Sequence, residues 1–131
     1  MAYSERFIMR VDLGNYDFGN NADETGTFRL PPGYQGKLID IGVMVSETFA
    51  CDATVASVAL GTTSDPDAYA LLNIADGAAD DDCYDVTDDT DAIIADDLPA
   101  ATLLKWTLTQ ATDGSADAGQ GRPFFVIECF K

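Results

Sequence analysis

Acidic side chains are the residues of this chain whose number and spacing are most suited to chemistry. Twenty-three acidic residues stand against seven basic ones, there is no histidine, and the formal net charge is −16 at pH 7. Grouped carboxylates can hold a hard cation such as Ca²⁺, which takes several oxygen ligands from a flexible loop. Two segments have that composition, residues 15–24 and residues 80–91. Neither has the ligand spacing of an EF-hand, so a solvated acidic surface is the competing interpretation.

The residue types offer little for catalysis. Without histidine, Ser-His-Asp and Cys-His catalysis and the usual zinc ligand sets are excluded. The chain contains no GxSxG, Walker or GxGxxG motif. Glu128 lies in the apolar segment PFFVIECF, where burial would raise its pKa and suit it to a carboxylate pair of the kind found in glycosidases. An outward-facing strand residue paired with Lys105 or Arg122 explains Glu128 better, so we expect a non-enzymatic protein that needs no cofactor.

The charges are segregated along the chain. All seven basic residues lie near the two ends, whereas residues 38–104 contain no lysine or arginine. Ten aspartates fall between Asp76 and Asp97. Unpaired carboxylates are too costly to bury, so this block is predicted to face solvent. Five aspartates represent the predicted solvent-facing block: Asp80, Asp81, Asp82, Asp88 and Asp89.

The same charge limits the partners. A chain at −16 repels nucleic-acid phosphates and anionic lipid surfaces, so neither nucleic acid nor membrane is expected as a partner. No apolar run approaches the ~20 residues that span a bilayer. The first residues lack the pattern of a secretory signal, and three cysteines without a CxxC motif indicate reduced thiols. These features predict synthesis in a cytoplasm.

The apolar pattern predicts one all-β domain over residues 1–131. Residues 7–13 alternate as a half-buried strand, and residues 37–48 are apolar on both faces, which is typical of a strand in the middle of a sheet. Gly42 within the latter predicts a bulge or a close backbone approach. No segment has a sustained helical period, and turn residues recur between short strands, which favours a β-sandwich. Further strands are predicted at 27–30, 53–60, 71–75, 83–86, 102–109 and 123–130, with loops at 15–25 and 111–121.

Two segments suggest contacts with other molecules. The segment from Phe28 to Tyr34 combines aromatic, arginine and proline residues, and arginine and tyrosine often anchor interfaces, although an ordinary hairpin with a core Phe28 has the same composition. Residues 123–130 are almost continuously apolar, which predicts either a buried strand or one covered by a second copy in a homo-oligomer. The candidate partner-binding residues are Arg6, Phe28, Arg29, Pro31, Pro32, Tyr34 and Arg122.

Three stretches of the chain resemble a known class of proteins. TFRLPPGYQGKLIDIGVMVSETF, VASVALGTTSDPDAYA and GQGRPFFVIECF are similar in layout to small head decoration, or cement, proteins of tailed bacteriophages. The resemblance implies a jelly-roll-like β-sandwich that binds in many copies to the outer surface of the assembled shell of major capsid protein, stabilises it, and resides on the outside of the virion after synthesis in the host cytoplasm. It implies no enzymatic activity and carries over no functional residue, because no fixed binding motif defines the class.

Other functions remain open at this point. A fibre component would share the β-sandwich, but it usually has sequence repeats or a coiled-coil stem, and neither is present. A calcium-dependent carbohydrate-binding module would need exposed aromatic residues near an acidic loop, for which Tyr16, Phe18 and Tyr84 are the candidates. A small hydrolase built on carboxylates around Glu128 is the remaining alternative.

Overall fold

The computed structural model describes residues 6–19, 23–51, 54–78, 82–110 and 118–131. These residues form strands and no helix, in two antiparallel sheets packed face to face, which confirms the predicted all-β sandwich. The strands are β1 (Arg6–Asp12), β2 (Tyr16–Asp17), β3 (Glu24–Phe28), β4 (Gln35–Ala50), β5 (Ala56–Gly61), β6 (Ala70–Ile74), β7 (Cys83–Tyr84), β8 (Asp97–Leu98), β9 (Leu104–Thr109) and β10 (Ala118–Phe130).

The strand order is that of a jelly roll. One sheet runs β1-β10-β4-β7, with β2 also pairing with β10 and β8 with β4, and the other runs β3-β9-β5-β6. The chain pairs with itself from its outer strands inward, as an antiparallel ribbon that is wound into two sheets. The successive pairs are β1–β10, β3–β9, β4–β7 and β5–β6. The winding brings both ends of the chain into the same sheet.

Strands β4 and β10 form the centre of the six-stranded sheet because each has partners on both edges. The prediction of a central strand at 37–48 is therefore confirmed. The pairing of β10 with β4 shifts register between Val126 and Ile127, which places a bulge near Ile39 rather than at Gly42. Gly42 instead lets the Phe124 ring lie close against the β4 backbone, since a Cβ atom at Gly42 would lie 2.5 Å from Cζ of Phe124.

The inward faces of the two sheets form one continuous apolar cluster. Phe18, Phe125, Leu60 and Leu72 are among its fully buried members. The ring of Phe28 in the four-stranded sheet stacks on Phe125 of the six-stranded sheet, with the centroids 6.1 Å apart. Each such aromatic side chain removes a large apolar area from water, so these inward contacts hold the sheets together.

Two predicted loops contain strand residues. Residues 15–25 include β2 and the start of β3, and residues 111–121 include the start of β10, although residues 111–117 lie outside the described part of the chain. Gln120 and Gly121 pair with β2 on one edge and with β4 on the other. Backbone pairing on both edges continues the strand through small and polar residues that have no strand pattern.

The apolar C-terminal segment needs no second copy to cover it. β10 lies between β1 and β4, and its inward residues pack on the other sheet. The apolar composition of residues 123–130 therefore gives no reason to expect a homo-oligomer. Within the described ranges no helix is long and apolar enough to cross a membrane, and Cys51, Cys83 and Cys129 are free thiols.

Candidate interaction surface

The side of the six-stranded sheet that faces away from the other sheet carries most of the basic residues of the chain. We call this side the open face. Strand alternation points Arg6 and Arg10 of β1, Arg122 of β10 and Lys37 of β4 onto it. The outer side of the four-stranded sheet, by contrast, presents small residues and threonines, with Lys105 as its basic residue.

A stack across three strands organises the centre of the open face. Phe124 of β10 points outward yet is only 2% exposed. Its ring lies over Gly42 of β4, and the guanidinium carbon of Arg10 lies 4.2 Å from the ring centroid. Nε of Arg10 also donates a hydrogen bond of 2.8 Å to Oδ1 of Asp12. The ring and the carboxylate together fix the position of Arg10, whose side chain is still 47% exposed.

Beside this stack lies an open depression of about 530 Å³. Arg122 lies at its rim, opposite Met44 on β4, and in the described part of the chain it makes no ion pair. An arginine without an ion-pair partner is notable where acidic residues outnumber basic ones by 23 to 7. We call this feature the arginine depression; its lining residues are Arg10, Asp12, Leu13, Gly14, Asn15, Met44 and Arg122.

Apolar side chains are interspersed with these charges. Ile8 is 59% exposed and Met44 is 44% exposed, and both lie on the open face. Val126 lies between them on β10 and is half-buried. Arginine and methionine side chains among exposed apolar groups are common in protein-binding surfaces.

Arg6 lies at the other end of the open face from Arg122. The two positions are separated along β10 by eight residues, which corresponds to about 26 Å of extended chain. Arg6 forms a salt bridge with Glu128 and lies over the ring of Phe130. Glu128 is thus an outward strand residue, as expected, but its partner is Arg6 and neither Lys105 nor Arg122.

The predicted recognition segment divides between core and surface. Phe28 is half-buried against Phe125, so its ring takes part in the contact between the two sheets. Arg29 donates a hydrogen bond of 2.9 Å to the carbonyl oxygen of Ala101. The turn itself is confirmed, with the Tyr34 amide bonded to the Pro31 carbonyl and Gly33 at a positive φ of 81°.

Some of the turn residues remain available to a partner. Pro32 is exposed and Pro31 is half-buried. Tyr34 packs edge-on against Phe7, with the centroids 5.0 Å apart, and Nζ of Lys131 lies 4.9 Å from the centre of its ring. The turn therefore adjoins the Arg6 end of the open face and is far from the arginine depression.

The opposite edge of the same sheet is acidic. β7 and β8 pair with β4 there, and the segment around them forms what we call the acidic edge. Of the predicted block, Asp82 and Asp88 are exposed, Asp89 is half-buried, and Asp80 and Asp81 lie outside the described residues. The carboxylate of Asp89 accepts a hydrogen bond of 2.9 Å from the Asn73 amide, so Asp89 joins this edge to β6. The members of the acidic edge are Asp82, Asp85, Asp88, Asp89, Asp91, Asp96 and Asp97.

One carboxyl group between the two charged regions has a shifted pKa. Burial, followed by the neighbouring Asp85 carboxylate, raises the pKa of Asp40 on β4. The Val86 amide donates a hydrogen bond of 3.5 Å to Oδ1 of Asp40. Burial, followed by Asp85 and Asp40, likewise raises the pKa of the Cys83 thiol. Cys83 is exposed but is held mainly as a neutral thiol, which is a poor nucleophile.

The described residues do not assemble a cation site. They contain no group of three or more acidic, histidine or cysteine side chains placed to hold a metal ion. In the first candidate loop, Asp17 accepts a hydrogen bond from the Gly19 amide and Asp23 accepts one from the Gln110 amide. These carboxylates therefore stabilise the local backbone, as acidic residues commonly do in loops.

Two of the three aromatic residues named for carbohydrate binding lie in the core. Tyr16 and Phe18 are both buried, with their rings 4.6 Å apart between centroids, and Phe18 contacts Phe49. A sugar needs an exposed ring on which to stack. Of the three candidates, Tyr84 alone is partly exposed.

The alternation of residues 7–13 placed Arg10 on the outward side of its strand, but neither Arg10 nor Met44 was predicted as a partner-binding residue. Arg10 has the same strand parity as Arg6, and that alternation was the signal available to place both on one face. Met44 was assigned to a strand apolar on both faces, and only the strand order exposes one of those faces.

Comparisons with protein-family models, with curated proteins and with solved structures found no match to this chain.

Proposed function

We propose that this protein is a structural docking protein, specifically a decoration protein that binds the outer surface of an assembled shell of bacteriophage major capsid protein and stabilises that shell. The observation that carries the proposal is the separation of charge across one sheet. The open face holds Arg6, Arg10 and Arg122 with exposed apolar side chains, and the acidic edge lies across the sheet. In a chain at −16, a basic and apolar face is suited to an acidic partner.

The physical demands of such a role agree with this surface. A decoration protein needs a small rigid scaffold and one adhesive face, and many copies on a lattice bind firmly even when each contact is weak. Acidic residues turned away from the shell would keep particles apart in solution by mutual repulsion. The described residues hold no group of three or more metal-ligating side chains, and burial with the neighbouring carboxylates raises the pKa of the Cys83 thiol, so the proposal assigns no reaction.

Quantitative mass spectrometry of purified particles from the source tests the proposal. A copy number in fixed proportion to the major capsid protein is expected. A few copies per particle would instead indicate a fibre or vertex protein, and absence from particles would refute the capsid assignment.

The open face is tested separately with Arg122→Glu, in a binding assay with shells from which the protein has been removed. Arg122 makes no ion pair in the described structure, so we expect the reversal of its charge to leave the fold intact. We expect binding to weaken at least about tenfold, or about 1.4 kcal/mol, because a carboxylate replaces a donor to an acidic partner. Lys105→Glu is the matched control, since it makes the same charge change on the other sheet. Equal losses in the two variants would show that net charge matters and the open face does not.

A further inference from the structure

Within the described part of the chain, strand β1 forms one edge of the six-stranded sheet. β1 pairs with β10 on one side, and within the described residues no strand pairs with its other side. The strand is seven residues long, and its register with β10 has no bulge. Exposed edges of this length are normally shortened, bulged or covered, because free backbone groups invite pairing with another chain.

The backbone groups on this free edge can be assigned by parity. The Leu13 amide donates a hydrogen bond of 2.9 Å to the carbonyl of Pro123, so odd-numbered residues direct their amides and carbonyls toward β10. Groups alternate along an antiparallel strand, and the even-numbered residues therefore direct theirs outward. Ile8 and Arg10 accordingly present at the edge of the sheet N–H and C=O groups that no other described strand pairs with.

We propose that the partner of this edge is a second copy of the same strand, paired antiparallel about a two-fold axis at Met9. In that register Arg6 lies opposite Asp12 of the second copy, Ile8 opposite Arg10, and Phe7 opposite Val11. The outward-directed groups of even residues then bond to each other across the axis. The charge pattern of the strand is thus complementary to itself.

Charge also selects this register over its neighbours. Because only even-numbered residues direct their backbone groups outward, the register between the two copies can change only in steps of two residues. A shift of two residues in one direction places Arg10 opposite Arg10 of the second copy. The same shift in the other direction places Arg6 opposite Arg10 of the second copy. Like charges directly opposite each other destabilise a strand pair, whereas opposite charges stabilise it. In the proposed register each Arg10 keeps its own Asp12 as a neutralising partner.

The proposal goes beyond the proposed function and does not depend on it. A two-fold axis through β1 runs perpendicular to the sheet, so the open faces of both copies would lie on the same side of one continuous sheet. The contact of one strand pair is smaller than the ~800 Å² per partner typical of stable complexes, so we expect a dissociation constant in the micromolar range. Moderate salt is needed in the test, because two copies at −16 repel each other until that charge is screened.

Analytical ultracentrifugation across about 1 µM to about 1 mM protein is the first measurement. The mean mass is expected to rise from 14.0 kDa toward twice that value. Arg6→Asp and Asp12→Arg should each abolish the rise, because each sets like charges opposite one another. The double variant Arg6→Asp/Asp12→Arg should restore it. Inside each chain the double variant places like charges beside Glu128 and Arg10, so restored dimerisation can come only from the contact between chains. A monomer at every concentration, or a dimer that neither single variant affects, would overturn the proposal.

Cysteine cross-linking tests the register, in a background where the exposed Cys83 is replaced by serine. Two copies of Met9→Cys would face each other at about 4.5 Å between Cα atoms, within the range of a disulfide. Two copies of Val11→Cys would be about 13 Å apart and should stay unlinked. Cross-linking of the Met9 variant alone is the expected result. Equal cross-linking of both variants, or linkage of the Val11 variant alone, would refute the register.

Discussion

At the scale of single residues, Asp40 is the group whose environment most changes its chemistry. It lies on the central strand β4 beside Asp85, and burial followed by that neighbour raises its pKa. The fold therefore prefers the neutral carboxyl. Its stabilising contribution is present at acid pH and is lost as the pH rises from the ordinary aspartate value of 3.8 through the folded-state pKa.

Asp40→Asn should therefore stabilise the protein at neutral pH, where the wild-type carboxyl is charged. The asparagine side-chain oxygen can still accept the Val86 amide, and its nitrogen can donate to Asp85. The difference in free energy of unfolding from wild type should vanish as the pH falls below 3.8, measured by urea unfolding at several pH values. Asp67→Asn, in an exposed turn, removes the same charge and serves as the control. A gain in the free energy of unfolding that did not change with pH would contradict a raised pKa at Asp40.

At the scale of the strands, the stack of Arg10, Phe124 and Gly42 joins β1, β10 and β4 on the open face. Glycine is needed in the middle of β4 because the Phe124 ring occupies the place of a side chain there. The arrangement keeps a large aromatic ring dry on an outer surface and orients an arginine above it. The glycine in the strand pattern indicated a close approach, but only the register of β4 with β10 identified the ring.

Gly42→Ala should accordingly destabilise the protein. The added Cβ would lie 2.5 Å from Phe124 Cζ and 2.8 Å from the carbonyl oxygen of Tyr84, so the ring and the β7 backbone must both shift. Overpacking of this kind typically costs 1–3 kcal/mol, that is about 2 kcal/mol, which chemical denaturation resolves. Gly14→Ala is the matched control, because no atom lies within 4 Å of its added Cβ, and we expect a change within about 0.5 kcal/mol. Equal effects of the two changes would show that the stack does not constrain β4.

At the scale of the whole molecule, acidic residues far outnumber the ion pairs that could neutralise them. The chain has a net charge of −16, and three ion pairs are present in the described part of it. The acidic edge concentrates much of this charge at one side of the sheet. Such self-repulsion destabilises a compact state and is reduced by salt, whose screening length is about 10 Å at 0.1 M.

The melting temperature should therefore rise as sodium chloride is increased from low to moderate concentration. Thermal unfolding at several salt concentrations measures this. Replacing Asp82, Asp91 and Asp97 by asparagine should raise the melting temperature at low salt and reduce its dependence on salt. All three are exposed, so the substitutions remove charge without removing core contacts. A melting temperature that falls as salt is added would mean that attractive ion pairs dominate instead.

The sequence by itself determined the features that depend on neighbouring residues. Period-two alternation identified β1 and β9, and a run that is apolar on both faces identified β4. Pro31 to Tyr34 specified a turn, and the cost of burying carboxylates kept residues 82–97 largely at the surface. Only the tertiary structure decided which distant residues meet. β10 pairs with β1 and β4 from opposite parts of the chain, so the pairing of Arg6 with Glu128, the burial of Phe28 on Phe125 and the meeting of Arg10 with Arg122 all follow from strand order. Alternation assigns a side chain to a face, but long-range backbone pairing determines what lies beside it and whether that face is covered.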